Sequence, residues 1–222
     1  GAEETKVAKI RRFGAEVHTG GKDFLAAYEK ACAYAESEKK EYVHSHSHPL
    51  VIAGQGTIGL EIVEDMAEEP EAVIVPVGGG GLISGIATAV KEKFPRTRII
   101  GVEAAAAPGA FLSFRDGYCH ETVDIQPSLA DGLLGTLTPL TYSIASRLVE
   151  KIVTVEEEAI RTAMRHFFDR EQMVVEGGAS VGRAALISGA LDPAEFRGGP
   201  VVLVLTGRNV GREKFLSVVA PG

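Results

Sequence analysis

Four consecutive glycines, Gly78 to Gly81, follow the apolar run Ala72–Val77. One glycine is enough to supply a left-handed turn position. Four in a row clear every Cβ from a stretch of backbone, so several N–H groups can point into one small volume. The residues that follow, Leu82 to Phe94, carry a helical pattern, and the first turn of a helix adds unpaired N–H groups and a positive dipole end. The combination is an anion nest of phosphate size. It falls at the carboxyl end of an expected parallel strand, where open α/β sheets bind their ligands. A plain flexible turn is the competing reading, but ordinary strand-to-helix turns do not need four glycines. The run is not the dinucleotide fingerprint. Of the acids, Glu103 alone stands near the ribose-binding position, about 20 residues on. Gly20-Gly21-Lys22-Asp23 is not a Walker loop either, because the glycine spacing is wrong and no Ser or Thr follows the lysine.

The elements that would position this loop can be read from periodicity. Val7, Ile10 and Phe13 mark a first helix that stops at Gly14. An extended piece, Ala15–His18, leads to a helix over about Lys22–Glu38 with Phe24, Ala27, Tyr28, Ala31 and Tyr34 inward, and Glu41–His44 reads as a strand. Leu50–Met66 is helical after Pro49. Ala72–Val77 is a buried strand of β-branched residues, Leu82–Phe94 a helix and Arg98–Val102 the next strand. A helix then runs to about Asp116, and Gly117–Thr136 is mostly loop. The remaining expectations are helix Pro139–Val149, strand Ile152–Val155, helix Glu156–Glu171, helix Ala179–Gly189 and strand Val201–Leu205, with Thr206-Gly207 at its carboxyl end. The alternation is that of an α/β fold with a parallel sheet.

The stretch Val75-Pro76-Val77-Gly78-Gly79-Gly80-Gly81-Leu82 resembles the phosphate loop of the fold-type II pyridoxal-phosphate enzymes, and most of all that of the threonine dehydratase and serine racemase family. Four further stretches resemble the same family in the same order. They are Val51-Ile52-Ala53-Gly54-Gln55-Gly56-Thr57-Ile58, Ala130-Asp131-Gly132-Leu133, Glu176-Gly177-Gly178-Ala179 and Leu205-Thr206-Gly207-Arg208-Asn209. The resemblance implies a tryptophan synthase β-like parallel-sheet fold that is incomplete here. Residues 1–44 would be the second half of the small domain, and residues 45–222 the large cofactor-binding domain without its N-terminal part. It implies pyridoxal 5′-phosphate as cofactor, its phosphate held by Gly78, Gly79, Gly80, Gly81 and the Leu82 N–H. Thr206 would hydrogen-bond the pyridine nitrogen, Gly132 would lie against the ring, and Glu176 would support the ring-side network. A hydroxyl at the ring nitrogen suits an unprotonated pyridine and so a weaker electron sink than a carboxylate gives.

Two positions depart from the family pattern. Arg208 replaces the second glycine of the closing motif. Glu103 matches one acid of the divalent-cation site that some members carry, but Gly109 stands where the second acid falls. The lysine that forms the Schiff base lies, in the family, in a Ser-Phe-Lys segment. None of Lys6, Lys9, Lys22, Lys30, Lys39, Lys40, Lys91, Lys93, Lys151 and Lys214 follows that pattern. The resemblance therefore makes this sequence the C-terminal two thirds of such an enzyme, inactive by itself.

The function implied is a lyase that converts a serine- or threonine-type hydroxy-amino acid to a 2-oxo acid and ammonia. An amino-acid racemase of the same family, a non-catalytic phosphate-binding remnant, and a subunit paired with a lysine-bearing partner are the alternatives. His44, His46 and His48 would share one face if extended and could ligate a metal, but no carboxylate or cysteine stands beside them, and a loop at the domain junction is the simpler reading. Asp131 reads as a turn residue, and Arg96 and Arg98 as solvated. The net charge of −7 over 222 residues offers no basic face to nucleic acid or anionic lipid. Apolar runs are far short of the roughly 20 residues of a membrane span. Cys32 and Cys119 lack a partner motif, and no apolar stretch follows a basic start, so a reduced cytoplasmic protein is expected. A small amino acid is the expected partner, and the resemblance implies a homo-oligomer.

Overall fold

The computed structural model describes residues 4–21 and 24–220. The chain divides into two compact units, Gly1–His44 and Ser45–Gly222.

The first unit contains helices α1 (Glu4–Arg12) and α2 (Phe24–Ser37). The expected strands Ala15–His18 and Glu41–His44 are not formed. An extended segment becomes a strand only when a neighbour completes its hydrogen-bond ladder, and no sheet is present among the described residues of this unit. Lys22 and Asp23 lie outside the described residues. On α2, Ala35 is buried and Tyr28, Ala31 and Tyr34 are half-buried, whereas Ala27 is exposed. The rings of Tyr28, Tyr42 and His44 meet edge to face with centroids 5.4–6.1 Å apart.

The second unit is a four-stranded parallel sheet between helices. Strands β1 (Ala72–Pro76), β2 (Arg98–Ala104), β3 (Lys151–Val155) and β4 (Val201–Leu203) lie in the order β3-β2-β1-β4. Ile74 stands level with Ile100 on one side and Leu203 on the other. Alternate residues of β1 face opposite ways, and both faces are covered, which is why this strand is apolar throughout. Val73, Val75 and Val77 pack with Ile83, Ile86 and Val90 of helix α4 (Gly81–Lys93) and Ala145 of α6 (Pro139–Leu148). Ala72 and Ile74 pack with Ile160 and Met164 of α7 (Glu157–Glu171), Val181 and Ala184 of α8 (Gly177–Ser188) and Phe215 of α9 (Arg212–Val219).

Helix α3 (Pro49–Asp65) lies along α4, and the two backbones come close at Gly85. A Cβ there would collide with the Ile52 carbonyl oxygen and come within 2.6 Å of the Gly56 nitrogen. Helix α5 (Gly109–Asp116) follows β2. Most element ends fall within one or two residues of the sequence expectation. Strand β4 stops at Leu203 rather than Leu205, and α9 has no counterpart in it. Arg98 is not a solvated side chain. It bonds Glu150 (2.8 Å) and Glu195 (3.2 Å), and Lys151 completes the cluster on Glu195 at 2.6 Å.

Candidate cofactor site at the glycine loop

The glycine loop leaves β1 just after Pro76, while Val77 still donates to the Val102 carbonyl at 2.8 Å. Gly80 has φ +82°, the left-handed conformation that glycine alone adopts freely, and it caps α4. The other glycines are required by neighbours. A Cβ on Gly78 would stand 3.0 Å from the Leu133 Cα. One on Gly79 would fall against the imidazole of His46, and one on Gly81 would stand 2.6 Å from the His46 carbonyl oxygen. The loop is thus a bare strip of backbone walled by Leu133 and His46, ending in the unpaired amides of a thirteen-residue helix.

His46 is held there by its neighbours. The Ser47 hydroxyl lies 2.7 Å from that of Thr138, which caps α6 in a capping box with Thr141. His48 Nδ1 accepts from the Leu50 amide at 3.2 Å and caps α3, with Pro49 at the first helical position. His44, His46 and His48 therefore do different things: a ring contact, a wall and a cap. Among the described residues no group of three or more His, Cys, Asp or Glu is placed to hold a metal.

The loop opens on a cleft of about 790 Å³, within the usual range for small-molecule sites. All eight residues expected at the cofactor, Gly78, Gly79, Gly80, Gly81, Leu82, Gly132, Glu176 and Thr206, line it. Ser45, His46, Gln55 and Glu61 line it as well. Gln55 lies in one of the stretches that carry the family resemblance. His46 reads in the sequence as a possible metal ligand, and nothing in the local sequence points from residue 46 to residue 79.

Each wall has its own support. The segment carrying Gly132 is pinned by Glu157, whose carboxylate takes the Ser128 hydroxyl and, at 2.8 Å, the Leu129 amide. Ser128 Oγ in turn accepts from the Ala130 amide at 2.9 Å. Asp131 is more than a turn former, since its carboxylate meets Lys214 Nζ of α9 at 3.2 Å. Gly132 itself is exposed, and a Cβ added to it would meet nothing within 4 Å. Thr206 is exposed just beyond β4. Its neighbour Gly207 lies against Glu176, whose carboxylate fills the room a side chain at 207 would need. The Glu176 amide also donates to the Gly207 carbonyl at 3.1 Å, so the start of α8 and the Thr206 loop are fastened together.

Glu103 is engaged with the start of α5. It is fully buried, and its two oxygens accept the amides of Ala110 (3.0 Å) and Phe111 (2.9 Å) in the first turn of α5. Burial pushes its carboxyl up to about 8, against the pull of the Ala110, Phe111 and Gly109 amides. A Cβ on Gly109 would come 2.7 Å from Thr136 Cγ2, so a larger residue there requires Thr136 to move. No described lysine lines the cleft.

Residues 1–207 match the family model described as pyridoxal-phosphate dependent enzyme. The chain is 40% identical over 207 residues to an L-threonine ammonia-lyase of Thermotoga maritima, covering 93% of this chain and 50% of that protein. It is 40% identical over 213 residues to the catabolic L-threonine dehydratase of Escherichia coli (strain K12), covering 95% and 63%. The chain thus spans about half to just under two thirds of these curated relatives. The solved T.th. threonine deaminase superposes with a TM-score of 0.86 at 37% identity, covering 94% of this chain and 68% of that one. Maize serine racemase superposes with a TM-score of 0.89 at 26% identity, covering 97% and 66%.

Proposed function

Given that the chain belongs to the family of pyridoxal-phosphate dependent enzymes, we propose that it forms the phosphate- and ring-holding part of a lyase that releases ammonia and a 2-oxo acid from serine or threonine. The observation that carries this is the convergence of the bare loop Gly78–Gly81, the start of α4 and Thr206 on one cleft. The residues present suit the cofactor: a strip of backbone without Cβ atoms for the phosphate, and the Thr206 hydroxyl on the same cleft for the ring nitrogen.

In this reading the amides of Gly79, Gly80, Gly81 and Leu82 hold the phosphate oxygens, helped by the positive end of α4. The Thr206 hydroxyl donates to the ring nitrogen, and the Glu176 carboxylate keeps the Thr206 loop in place through Gly207. Gly132 offers a flat surface to the ring face, held level by Glu157. When bound, pyridoxal phosphate supplies the electron sink that lets the substrate's α-proton leave. In this reading the lysine that holds the cofactor covalently is supplied from outside these 222 residues, since no described lysine lines the cleft. A cytoplasmic homo-oligomer is the assembly we associate with this activity.

The test is to join these residues to a family segment carrying Ser-Phe-Lys, add pyridoxal phosphate, and assay 2-oxo acid release from L-serine and L-threonine. Release of 2-oxobutanoate or pyruvate is expected. Borohydride trapping followed by peptide mapping should place the label on the added lysine; a label on Lys214 or any other lysine of this chain refutes the assignment. The likeness to maize serine racemase supports a second reading, racemisation, which a chiral assay of recovered serine separates from elimination.

A further inference from the structure

We propose that His46 is a phosphate-binding residue of this chain, donating a hydrogen bond from Nε2 to the phosphate seated on the glycine loop. The inference rests on the cofactor reading of the cleft and assigns a side chain to a site otherwise made of backbone.

Position comes first. The atoms that a Cβ on Gly79 would meet are Cδ2, Cγ and Nε2 of His46, so the ring edge bearing Nε2 stands directly over the loop. The backbone of the same residue covers Gly81, with Cα 3.1 Å and Cβ 3.0 Å from the place a Cβ on that glycine would take. Residue 46 is held on its C-terminal side by the Ser47–Thr138 contact and the His48 cap, so the ring is presented from a fixed backbone.

Tautomer comes second. The Ser45 hydroxyl lies 3.2 Å from His46 Nδ1. When that hydroxyl donates to Nδ1, the ring proton resides on Nε2, the nitrogen over Gly79, because the bond made by one ring nitrogen fixes the role of the other. An anion on the loop selects this arrangement.

Charge comes third. The cleft-lining side chains that ionise are His46, Glu61 and Glu176, with neither lysine nor arginine among them. A phosphate dianion placed beside two carboxylates is opposed by both of them. Of these three, His46 alone brings no negative charge, and its Nε2–H bond to the phosphate, like those of the loop amides, is strengthened by the charge of the anion.

The test measures dissociation constants of the 222-residue chain for pyridoxal phosphate and for pyridoxal, which lacks the phosphate. His46→Phe keeps a planar ring over Gly79 but removes the donor, and His46→Gln keeps a donor. The wild-type chain should prefer the phosphorylated form. His46→Phe should weaken pyridoxal phosphate by about tenfold or more, the scale of a hydrogen bond to a charged group, and leave pyridoxal unchanged. It should also shift the ³¹P resonance of the bound cofactor, and His46→Gln should recover part of the affinity. His46→Ala removes the donor without adding bulk and should give the same change of ratio, so misfolding of the phenylalanine variant does not blind the test. Equal weakening of both ligands, or an unchanged ratio, overturns the proposal while the cofactor reading stands. A wild-type chain with no preference for the phosphate overturns both.

Discussion

Replacing Gly132 by alanine separates packing from cofactor binding, because the structure gives the two opposite expectations. The position is exposed, its φ is not left-handed, and the added methyl would meet no atom within 4 Å. An alanine there should change stability by no more than about 0.5 kcal/mol, the scale of a surface substitution, and its narrower unfolded ensemble acts in the stabilising direction. If the pyridine ring of the cofactor rests on Gly132, the same methyl projects into space the ring needs. Forcing one methyl into a filled contact costs about 1–3 kcal/mol. At about 1.4 kcal/mol per tenfold, that range is a loss of pyridoxal phosphate affinity of roughly fivefold to a hundredfold or more. Urea denaturation gives the first quantity, and titration of the cofactor's absorbance gives the second. An unchanged midpoint with weakened cofactor binding is the expected pair of results. Unaltered affinity refutes the placement of the ring on Gly132. A midpoint that falls by more than the surface scale refutes the open geometry of the 131–133 turn.

The remaining predictions concern the frame around the site. Gly85→Ala should destabilise by about 1–3 kcal/mol in urea, because its methyl is aimed at the Ile52 carbonyl and the Gly56 nitrogen across the α3–α4 contact. Gly54→Ala, on the open face of α3 with nothing within 4 Å, should instead stabilise by up to about 1 kcal/mol, and a loss at both positions would contradict the assigned helix faces. Glu103 is raised from 4.5 to about 8, so the folded chain keeps a proton that the unfolded chain releases. Its contribution is full below 4.5 and is lost as pH climbs through about 8. Thermal melts from about pH 5 to about pH 9, a span that brackets this loss, should show the wild type losing ground against Glu103→Gln, and parallel curves would refute the buried, proton-retaining carboxyl. Thr206→Val removes the hydroxyl at nearly constant volume and should weaken pyridoxal phosphate about fivefold, the worth of one neutral hydrogen bond, with Thr206→Ser restoring it. An unchanged constant for the valine variant would take Thr206 off the ring nitrogen.

What could be read in the sequence was what a contiguous stretch decides for itself. The run Ala72–Pro76 is apolar on both faces because helices cover both faces, so its place inside a parallel sheet was legible. The glycine loop was legible for the same reason, since four missing side chains are visible without knowing any neighbour. The failures lie where a distant partner decides. Ala15–His18 and Glu41–His44 have strand-like composition but no described neighbour to complete a ladder. Arg98 looks solvated until Glu150 and Glu195, 52 and 97 residues away, are brought beside it. Helix α9 carries four charged or polar residues in eight, and what makes it an element is the burial of Phe215 and Val218 against the core. His46 was visible as a histidine, but its meaning depends on Gly79, and that contact exists only once α3 and α4 lie side by side.

Glu103 and Gly109 show how one pair of residues yields two readings until packing chooses. By resemblance, Glu103 was half of a cation site and Gly109 the gap where its other acid belonged. In the fold, Gly109 is the first residue of α5, and the amides just beyond it are the donors that occupy both oxygens of Glu103. A side chain at 109 would meet Thr136, on the same loop that returns toward Gly132 and the cleft. The buried, proton-retaining Glu103 carboxyl holds the first turn of α5 through the Ala110 and Phe111 amides.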